Sequence, residues 1–216
     1  MVDTSAPASR LDTDPRRAHV SLSKHPYQIG VFGSGTIGPR VYELAYQVGA
    51  EIAKQGHILI SGGMTGTMEA SSRGASDADG LVVGVLPGDK FTDGNAYSTI
   101  KILSGMQFAR NYITGLSCHG AIVVGGSSGA YEEARRVWEG RGPVVVLANS
   151  GSPTGASAQM LSMQEIFGVA FPEDKPKPWR VFSAATPAES VSLVIGLIRK
   201  GYAQHEPSEY RSTGPR

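Results

Sequence analysis

The feature that most constrains this chain is a unit that occurs three times: a short apolar run, a turn of small residues, and a helical pattern. The apolar runs are 27–32, 57–61 and 120–124, and the turns after them are 33–38, 62–66 and 125–129. Further apolar runs lie at 81–86, 98–103, 143–147 and 181–182. Short apolar runs that alternate with helices predict parallel strands buried on both faces. We therefore expect an α/β, doubly wound, Rossmann-like parallel sheet of about six or seven strands, with helices on both faces.

Composition divides the chain into one domain and two tails. Residues 1–25 and 203–216 are polar, which predicts a disordered N-terminal tail and a mobile C-terminal one. Residues 26–202 carry all of the strand–turn–helix units, so we expect a single nucleotide- or anion-binding domain there.

The net charge and the cysteine content limit the kinds of partner and the compartment that we expect for this chain. The net charge is +1 without a basic block, which argues against nucleic acid. No run reaches the roughly 20 apolar residues that cross a membrane, and the N-terminus lacks the apolar core of a secretory signal. Cys118 is the only cysteine, which suits a reducing cytosol and leaves no zinc-ligand spacing. We expect a cytoplasmic protein without a metal site, a nucleic-acid partner or a membrane partner.

The three small-residue turns predict an anion site. Glycine and serine let a phosphate approach backbone N–H groups at the positive end of a helix dipole. The carboxyl ends of parallel strands share one edge of a sheet, so the turns should lie together and bind a phosphorylated small molecule. The predicted ligand-binding residues in these turns are Gly33, Ser34, Gly35, Gly62, Gly63, Met64, Thr65, Gly66, Gly125, Gly126, Ser127, Ser128, Gly129 and Ala130.

The first turn alone does not define the ligand. Gly33, Gly35 and Gly38 match the G-x-G-x-x-G pattern of dinucleotide-binding folds. The acid that would hold a dinucleotide ribose is missing after the second strand, which ends in Ser61 and Gly62. The turn is therefore either part of a ligand site or only a tight connection between strand and helix.

Three side chains next to the third turn are candidates for function. Arg110 and Asn111 lie on a helix predicted within 105–118, and a guanidinium matches the geometry of an oxyanion. The alternative is a surface arginine or one paired with Glu132. We expect Glu132 and Glu133 in the first turn of a helix that begins near Ala130. Glu133 would act as a general acid or base, bind a ribose hydroxyl, or only suit the helix dipole.

Four passages in this order resemble a known superfamily. They are GVFGSG, ISGGMTGTMEASSRGA, GVLPG, and ARN followed by VVGGSSGAYEEA. They are similar to the Rossmann-like group of the "Lonely Guy" cytokinin-activating phosphoribohydrolases, long mislabelled as lysine decarboxylases. Within that group the chain is most similar to the branch of the molybdenum-cofactor carrier proteins. The resemblance extends over about residues 27–200.

The resemblance implies two functions. In the hydrolases, an arginine matching Arg110 and a glutamate matching Glu133, the last residue of P-G-G-x-G-T-x-x-E, act on the N-glycosidic bond of a nucleoside 5′-monophosphate. This chain departs from that pattern at Gly125 for proline, Ser127 for glycine, Ala130 for threonine and Asn111 for lysine. The departures affect hydrolysis more than phosphate binding, so the first prediction is a binding protein for a nucleotide or the molybdenum cofactor. The alternative is a phosphoribohydrolase with Arg110 and Glu133 as catalytic residues.

Further expectations follow from the same comparison. No lysine stands in a context for a Schiff base, which argues against a lysine decarboxylase. No cofactor is required, and a nucleotide, phosphate or molybdenum cofactor would be bound as a ligand. Members of this superfamily are commonly dimeric, so we expect a homodimer or higher homo-oligomer. The apolar faces of the helices predicted at 105–118 and 131–141 are available to the core and to a partner.

Overall fold

A computed structural model describes residues 22–140, 142–151, 155–161 and 181–201. The strands of this part of the chain are β1 (Gln28–Gly33), β2 (Ile58–Ser61), β3 (Val82–Leu86), β4 (Ile100–Leu103), β5 (Gly120–Val124), β6 (Val144–Leu147) and β7 (Val181–Ala184). The α-helices are α1 (Pro39–Lys54), α2 (Thr67–Asp77), α3 (Arg110–Leu116), α4 (Ser128–Glu139) and α5 (Pro187–Arg199). Short 3₁₀ helices lie at Phe91–Asp93 and Gln107–Ala109, and residues 156–161 are also helical.

The strands form a single seven-stranded sheet in the order β4-β3-β2-β1-β5-β6-β7, and all neighbours pair in parallel. Strands β1 to β4 follow one another toward one edge of the sheet, and strands β5 to β7 follow one another toward the opposite edge. The reversal therefore lies between β1 and β5, where ligands bind in open α/β sheets. The predicted doubly wound Rossmann-like fold is confirmed.

Hydrophobic residues fill both faces of the sheet. On β1, Ile29 and Val31 pack into the cluster that includes α1, α2 and α5, whereas Phe32 packs into the cluster with α4. On β5 the residues also alternate, with Ile122 on the first face and Val123 on the second. These central strands are buried on both sides, which explains why the sequence shows continuous apolar runs there.

The helices α1 and α2 meet at two glycines. A Cβ added to Gly49 would collide with the backbone carbonyl of Ser71, and one added to Gly74 would collide with the carbonyl of Tyr46. Only glycine lets the two helix backbones approach this closely. The pair places the first and second glycine turns, which precede α1 and α2, against each other.

Helix α5 begins with a capping box. The Thr186 hydroxyl accepts a hydrogen bond from the N–H of Glu189, and the Glu189 carboxylate accepts one from the N–H of Ala185. Pro187 occupies the first helical turn, where its missing N–H has no consequence.

The structure corrects two predicted boundaries. Helix α4 begins at Ser128 rather than near Ala130, because Ser127 serves as its N-cap residue. Glu132 and Glu133 consequently lie beyond the first turn, and their predicted first-turn position is wrong. The small and polar residues of 148–157, ANSGSPTGAS, predict a loop, whereas the structure is helical over 156–161.

Some expectations fall outside the described residues. The predicted tails, 1–25 and 203–216, do so apart from residues 22–25. No described helix has the length and hydrophobicity needed to cross a membrane. Within the same residues, no group of three or more histidine, cysteine, aspartate or glutamate side chains is arranged to hold a metal ion.

Candidate functional site

The three glycine turns meet at the carboxyl edge of β1, β2 and β5. The N–H of Thr67 donates to the Ser34 carbonyl at 2.9 Å, and the Thr65 hydroxyl donates to the Gly35 carbonyl at 3.0 Å. These bonds join the first turn to the second. A Cβ placed on Gly126 would lie 3.5 Å from the Cα of Gly33, so the third turn touches the first. The structure thus brings the predicted turns together.

The third turn leads into the start of α4, where the structure gives the backbone N–H groups no side-chain cap among the described residues. Gly125 and Gly126 have φ angles of +66° and +103°, which a proline could not adopt. The side chain of Ser127 makes no cap hydrogen bond, and Ser127 and Ser128 are exposed. The first N–H groups of a helix have no intrahelical acceptor. The first N–H groups of α4 therefore lie at the carboxyl edge of the sheet without intrahelical acceptors, which is the arrangement found where helices bind anions.

The second turn is held by an asparagine that the sequence did not single out. The N–H of Asn95 donates to the Gly63 carbonyl at 2.8 Å, and its side-chain amide donates to the Met64 carbonyl at 3.0 Å. The polar sequence of residues 91–97 predicts a loop beside the strand ends and assigns no role to Asn95. The available signal was an asparagine within that loop, since asparagine bonds readily to nearby backbone.

Arg110 lies buried beneath the second turn. Its exposed fraction is 8%, and a Cβ on Gly62 would come within 2.5 Å of its Nη2 atom. Its Nη1 donates to Glu133 Oε1, and Thr114 Oγ1 is 3.5 Å away. Its Nε is buried without a hydrogen-bond partner among the described residues. Arg110 is thus neither a surface residue nor a partner of Glu132; it forms an ion pair inside the cleft wall.

Glu133 is the buried partner of this ion pair. Burial raises the pKa of Glu133 from 4.5 to about 7, with Arg110 opposing the rise and Glu132 adding to it. Burial strips water from the Glu133 carboxylate and so favours its protonated form. This effect outweighs the attraction of the Arg110 guanidinium, which favours the charged form. Glu133 therefore changes charge near neutral pH, in the range where general acids and bases operate.

A second polar bridge joins the same two helices. The side-chain amide of Asn111 donates to Glu132 Oε2 at 3.1 Å. Asn111 is buried, and its Nδ2 lies 3.6 Å from the position of a Cβ on Gly129. Asn111 thus places the start of α3 directly against the first turn of α4.

Other groups near the sheet have structural partners. Cys118 donates to the Thr114 carbonyl, and burial raises the pKa of its thiol well above the usual value. His119 and His57 each accept a backbone N–H through Nδ1 at the other edge of the sheet. A thiolate nucleophile is therefore not present in this part of the structure.

The fold and site together define a Rossmann-like α/β protein with three glycine turns gathered at the sheet's switch point. The sequence profile of the SLOG cluster4 family matches residues 26–175, and the chain belongs to this family. An uncharacterized protein of Archaeoglobus fulgidus is 43% identical over 126 residues, covering 55% of this chain and 83% of that protein.

Solved structures show the same relationship. The molybdenum cofactor binding protein of Rippkaea orientalis is 30% identical with a TM-score of 0.67, covering 82% of this chain and 99% of that one. The Moco carrier protein of Chlamydomonas is 27% identical with a TM-score of 0.65, covering 81% and 99%. The resemblance to the Lonely Guy superfamily and its carrier branch is confirmed.

Proposed function

We propose that this protein binds a phosphorylated small molecule, with an oxyanion of the ligand at the start of α4 and Arg110 beside it. The convergence of the three turns supports this proposal, because it places backbone N–H groups and a buried guanidinium around one cleft. The available donors are the N–H groups of the first turn of α4 and, next to the second turn, the guanidinium of Arg110, whose buried Nε has no hydrogen-bond partner among the described residues. Such a set suits a phosphate or an oxo-metal group.

The ligand we favour is the molybdenum cofactor or a nucleotide, carried as cargo rather than used as a resident cofactor. The similar proteins of Rippkaea orientalis and Chlamydomonas, which bind or carry that cofactor, support the choice. The proposed contacts are those of the three turns together with Arg110, Asn111 and Glu133. Loss of a threonine hydroxyl at Ala130 is compatible with binding, since the exposed Ser127 and Ser128 offer hydroxyls next to it.

A second candidate is hydrolysis of a nucleoside 5′-monophosphate at its N-glycosidic bond. The observation that favours it is a carboxyl group with a pKa of about 7 beside an arginine. Such a group can give or take a proton at neutral pH. In this candidate Glu133 is the general acid or base and Arg110 stabilises developing negative charge.

Calorimetry and product analysis distinguish the two functions. Titrations with AMP, inorganic phosphate, molybdate and tungstate should show saturable binding. Arg110→Gln should weaken it roughly ten- to a hundredfold, because a hydrogen bond from a charged donor is lost. Arg135→Gln is the matched control, since Arg135 is exposed on α4 and pairs only with Glu139 among the described residues. No saturable binding of any of these anions would contradict the proposal.

Chromatography of AMP incubated with the protein tests the second candidate. Free adenine that disappears in Glu133→Gln and Arg110→Gln would support hydrolysis. Absence of free base would leave binding as the function, and equal turnover in both variants would remove these residues from the mechanism.

We also propose that the protein is a homodimer or a higher homo-oligomer. Large hydrophobic side chains are exposed around α3 and the edge strand β4: Ile100, Ile102, Met106, Phe108, Tyr112, Ile113 and Leu116. We call these residues the apolar face. Helix α3 itself has no charged side chain outside the buried Arg110, and the guanidinium of Arg136 from α4 lies 4.9 Å from the centre of the Tyr112 ring. A parallel sheet is normally covered on both faces, which favours a second copy over this edge.

Light scattering tests the assembly. We expect at least twice the 22.7 kDa mass of one chain. Ile113→Glu with Leu116→Glu should give the monomer, because each carboxylate would be buried in the contact. Leu22→Glu, which changes an exposed residue outside the apolar face, should leave the mass unchanged. A monomeric wild-type protein would contradict this part of the proposal.

A further inference from the structure

Arg110 has a carboxylate partner within the fold. Its Nη1 contacts Glu133 Oε1, and the side chains of the pair are 10% and 6% exposed. An oxyanion that reaches this guanidinium therefore meets the negative charge of Glu133 at the same place. Like charges sharing a buried site cannot both stay ionised without a large cost, and the usual outcome is protonation of one of them.

The charged and titratable groups around Glu133 are few. Arg110 faces it from α3, and Glu132 lies beside it on α4. Cys118 faces it from the end of α3, and burial together with the Glu133 charge raises the pKa of that thiol well above neutrality. Thr114, which contacts Arg110, does not titrate. Arg110 stays protonated under all ordinary conditions. Glu133 is therefore the group of this set that can take up a proton when an anion arrives.

We propose that the cleft binds an oxyanion together with one proton, which Glu133 takes from solvent as Arg110 turns its charge to the anion. This inference rests on the proposed anion-binding function. No bond of the anion is broken; the proton adds to a carboxylate oxygen of Glu133, and the protonated carboxyl becomes a hydrogen-bond donor. Arg110 Nε, buried without a partner among the described residues, offers the anion a donor that Glu133 does not occupy.

The proposal fixes the sign of the pH dependence. Protonated Glu133 is the binding-competent form, so anion affinity falls as pH rises through the pKa of Glu133 near 7. Between pH 6 and pH 8 the fall is about tenfold. Proton uptake follows the opposite trend, from about 0.1 proton per anion at pH 6 to nearly one at pH 8.

Calorimetry with inorganic sulfate measures both quantities. Sulfate stays a dianion between pH 6 and pH 8, so the protons exchanged belong to the protein. Titrations in two buffers with different ionisation enthalpies give the number of protons taken up. Glu133→Gln keeps the shape of the side chain and should bind sulfate with no proton uptake from this site and with little pH dependence. Glu139→Gln removes a carboxylate from the surface of the same helix and should behave as wild type.

The outcomes separate this inference from the function on which it rests. Sulfate binding with proton uptake near one at pH 8 in the wild type, and near zero in Glu133→Gln, supports it. Binding without proton uptake, or with equal uptake in Glu133→Gln, overturns the inference and leaves the anion site standing. If sulfate, phosphate and molybdate all fail to bind to either protein, both the anion site and this inference are wrong.

Discussion

The two helix pairs of this fold are joined in different ways. Helices α1 and α2 meet through Gly49 and Gly74, whose missing side chains allow backbone-to-backbone contact. Helices α3 and α4 are instead joined by two polar bridges, from Arg110 to Glu133 and from Asn111 to the same segment of α4. The polar contact between α1 and α2, from the Tyr46 hydroxyl to Asp77, is exposed, whereas the Arg110–Glu133 ion pair between α3 and α4 is buried. The first pair therefore depends on backbone packing, and the second buries two charges beside the glycine turns.

The largest effect is expected at the glycine contact. Gly74→Val should destabilise the protein by more than about 4 kcal/mol, because its side chain collides with the carbonyl of Tyr46. The measurement is the soluble yield and the denaturant midpoint. Gly196→Ala on α5 is the matched control: it has open space around it and should stabilise by up to about 1 kcal/mol. A Gly74→Val protein as stable as the wild type would show that α1 and α2 can separate freely.

The next largest effect is expected when one partner of the Arg110–Glu133 ion pair is removed. Arg110→Met should cost about 3–5 kcal/mol at pH 8, since it leaves the Glu133 charge buried alone. Adding Glu133→Leu should recover most of this loss, because apolar residues of similar size can replace a buried pair. Denaturant titrations give the stabilities, and calorimetry should show anion binding weakened at least about ten- to a hundredfold in both proteins. Anion binding of wild-type strength in the double variant would contradict the role of Arg110.

The pH dependence of stability isolates Glu133. Its pKa is about 7 in the folded protein and 4.5 as its ordinary value, so the folded state binds more protons between these values. The free energy of unfolding should therefore fall as pH rises from about 4.5 to 7, by about 3 kcal/mol from this group alone. The contribution of Glu133 is measured as the difference in the free energy of unfolding between wild type and Glu133→Gln, followed from pH 4.5 to 7. A constant difference would show that the carboxylate stays ionised throughout.

The smallest effect is expected at the second polar bridge. Asn111→Ala should cost about 1 kcal/mol, because a single hydrogen bond to Glu132 is lost. Glu132→Gln keeps an acceptor for the Asn111 amide and should cost less. Thermal unfolding measures the stability of both variants. A larger loss of stability in Glu132→Gln than in Asn111→Ala would show that the charge of Glu132 matters more than the hydrogen bond.

Sequence predicted the layered architecture better than the details of the cleft. The strands β1, β2, β5 and β6 were placed to within a residue or two, because strands buried on both faces give unbroken apolar runs. The start of α4 was misplaced, since Ser128 and Gly129 are residues that usually belong to turns. Small residues at a helix start look the same in sequence as a loop before it.

The contacts between side chains at the site could not be predicted from the sequence. Arg110 and Glu133 are separated by 23 residues and by a whole strand, so their ion pair depends on how α3 and α4 cross. Asn95 was predicted only as part of a polar loop, although it bonds to two carbonyls of the second turn. Local patterns report periodicity and turn chemistry, whereas contacts between distant segments require the assembled sheet.

The third glycine turn is also tied to the segment that follows β6. The Ser150 hydroxyl accepts the N–H of Gly125, and the carbonyl of Gly125 accepts both the N–H and the hydroxyl of Ser157. Both backbone groups of the first residue in the turn are thus held by residues far along the chain. Adding or deleting residues between Ser150 and Ser157 should consequently shift the third turn and the start of α4 that follows it.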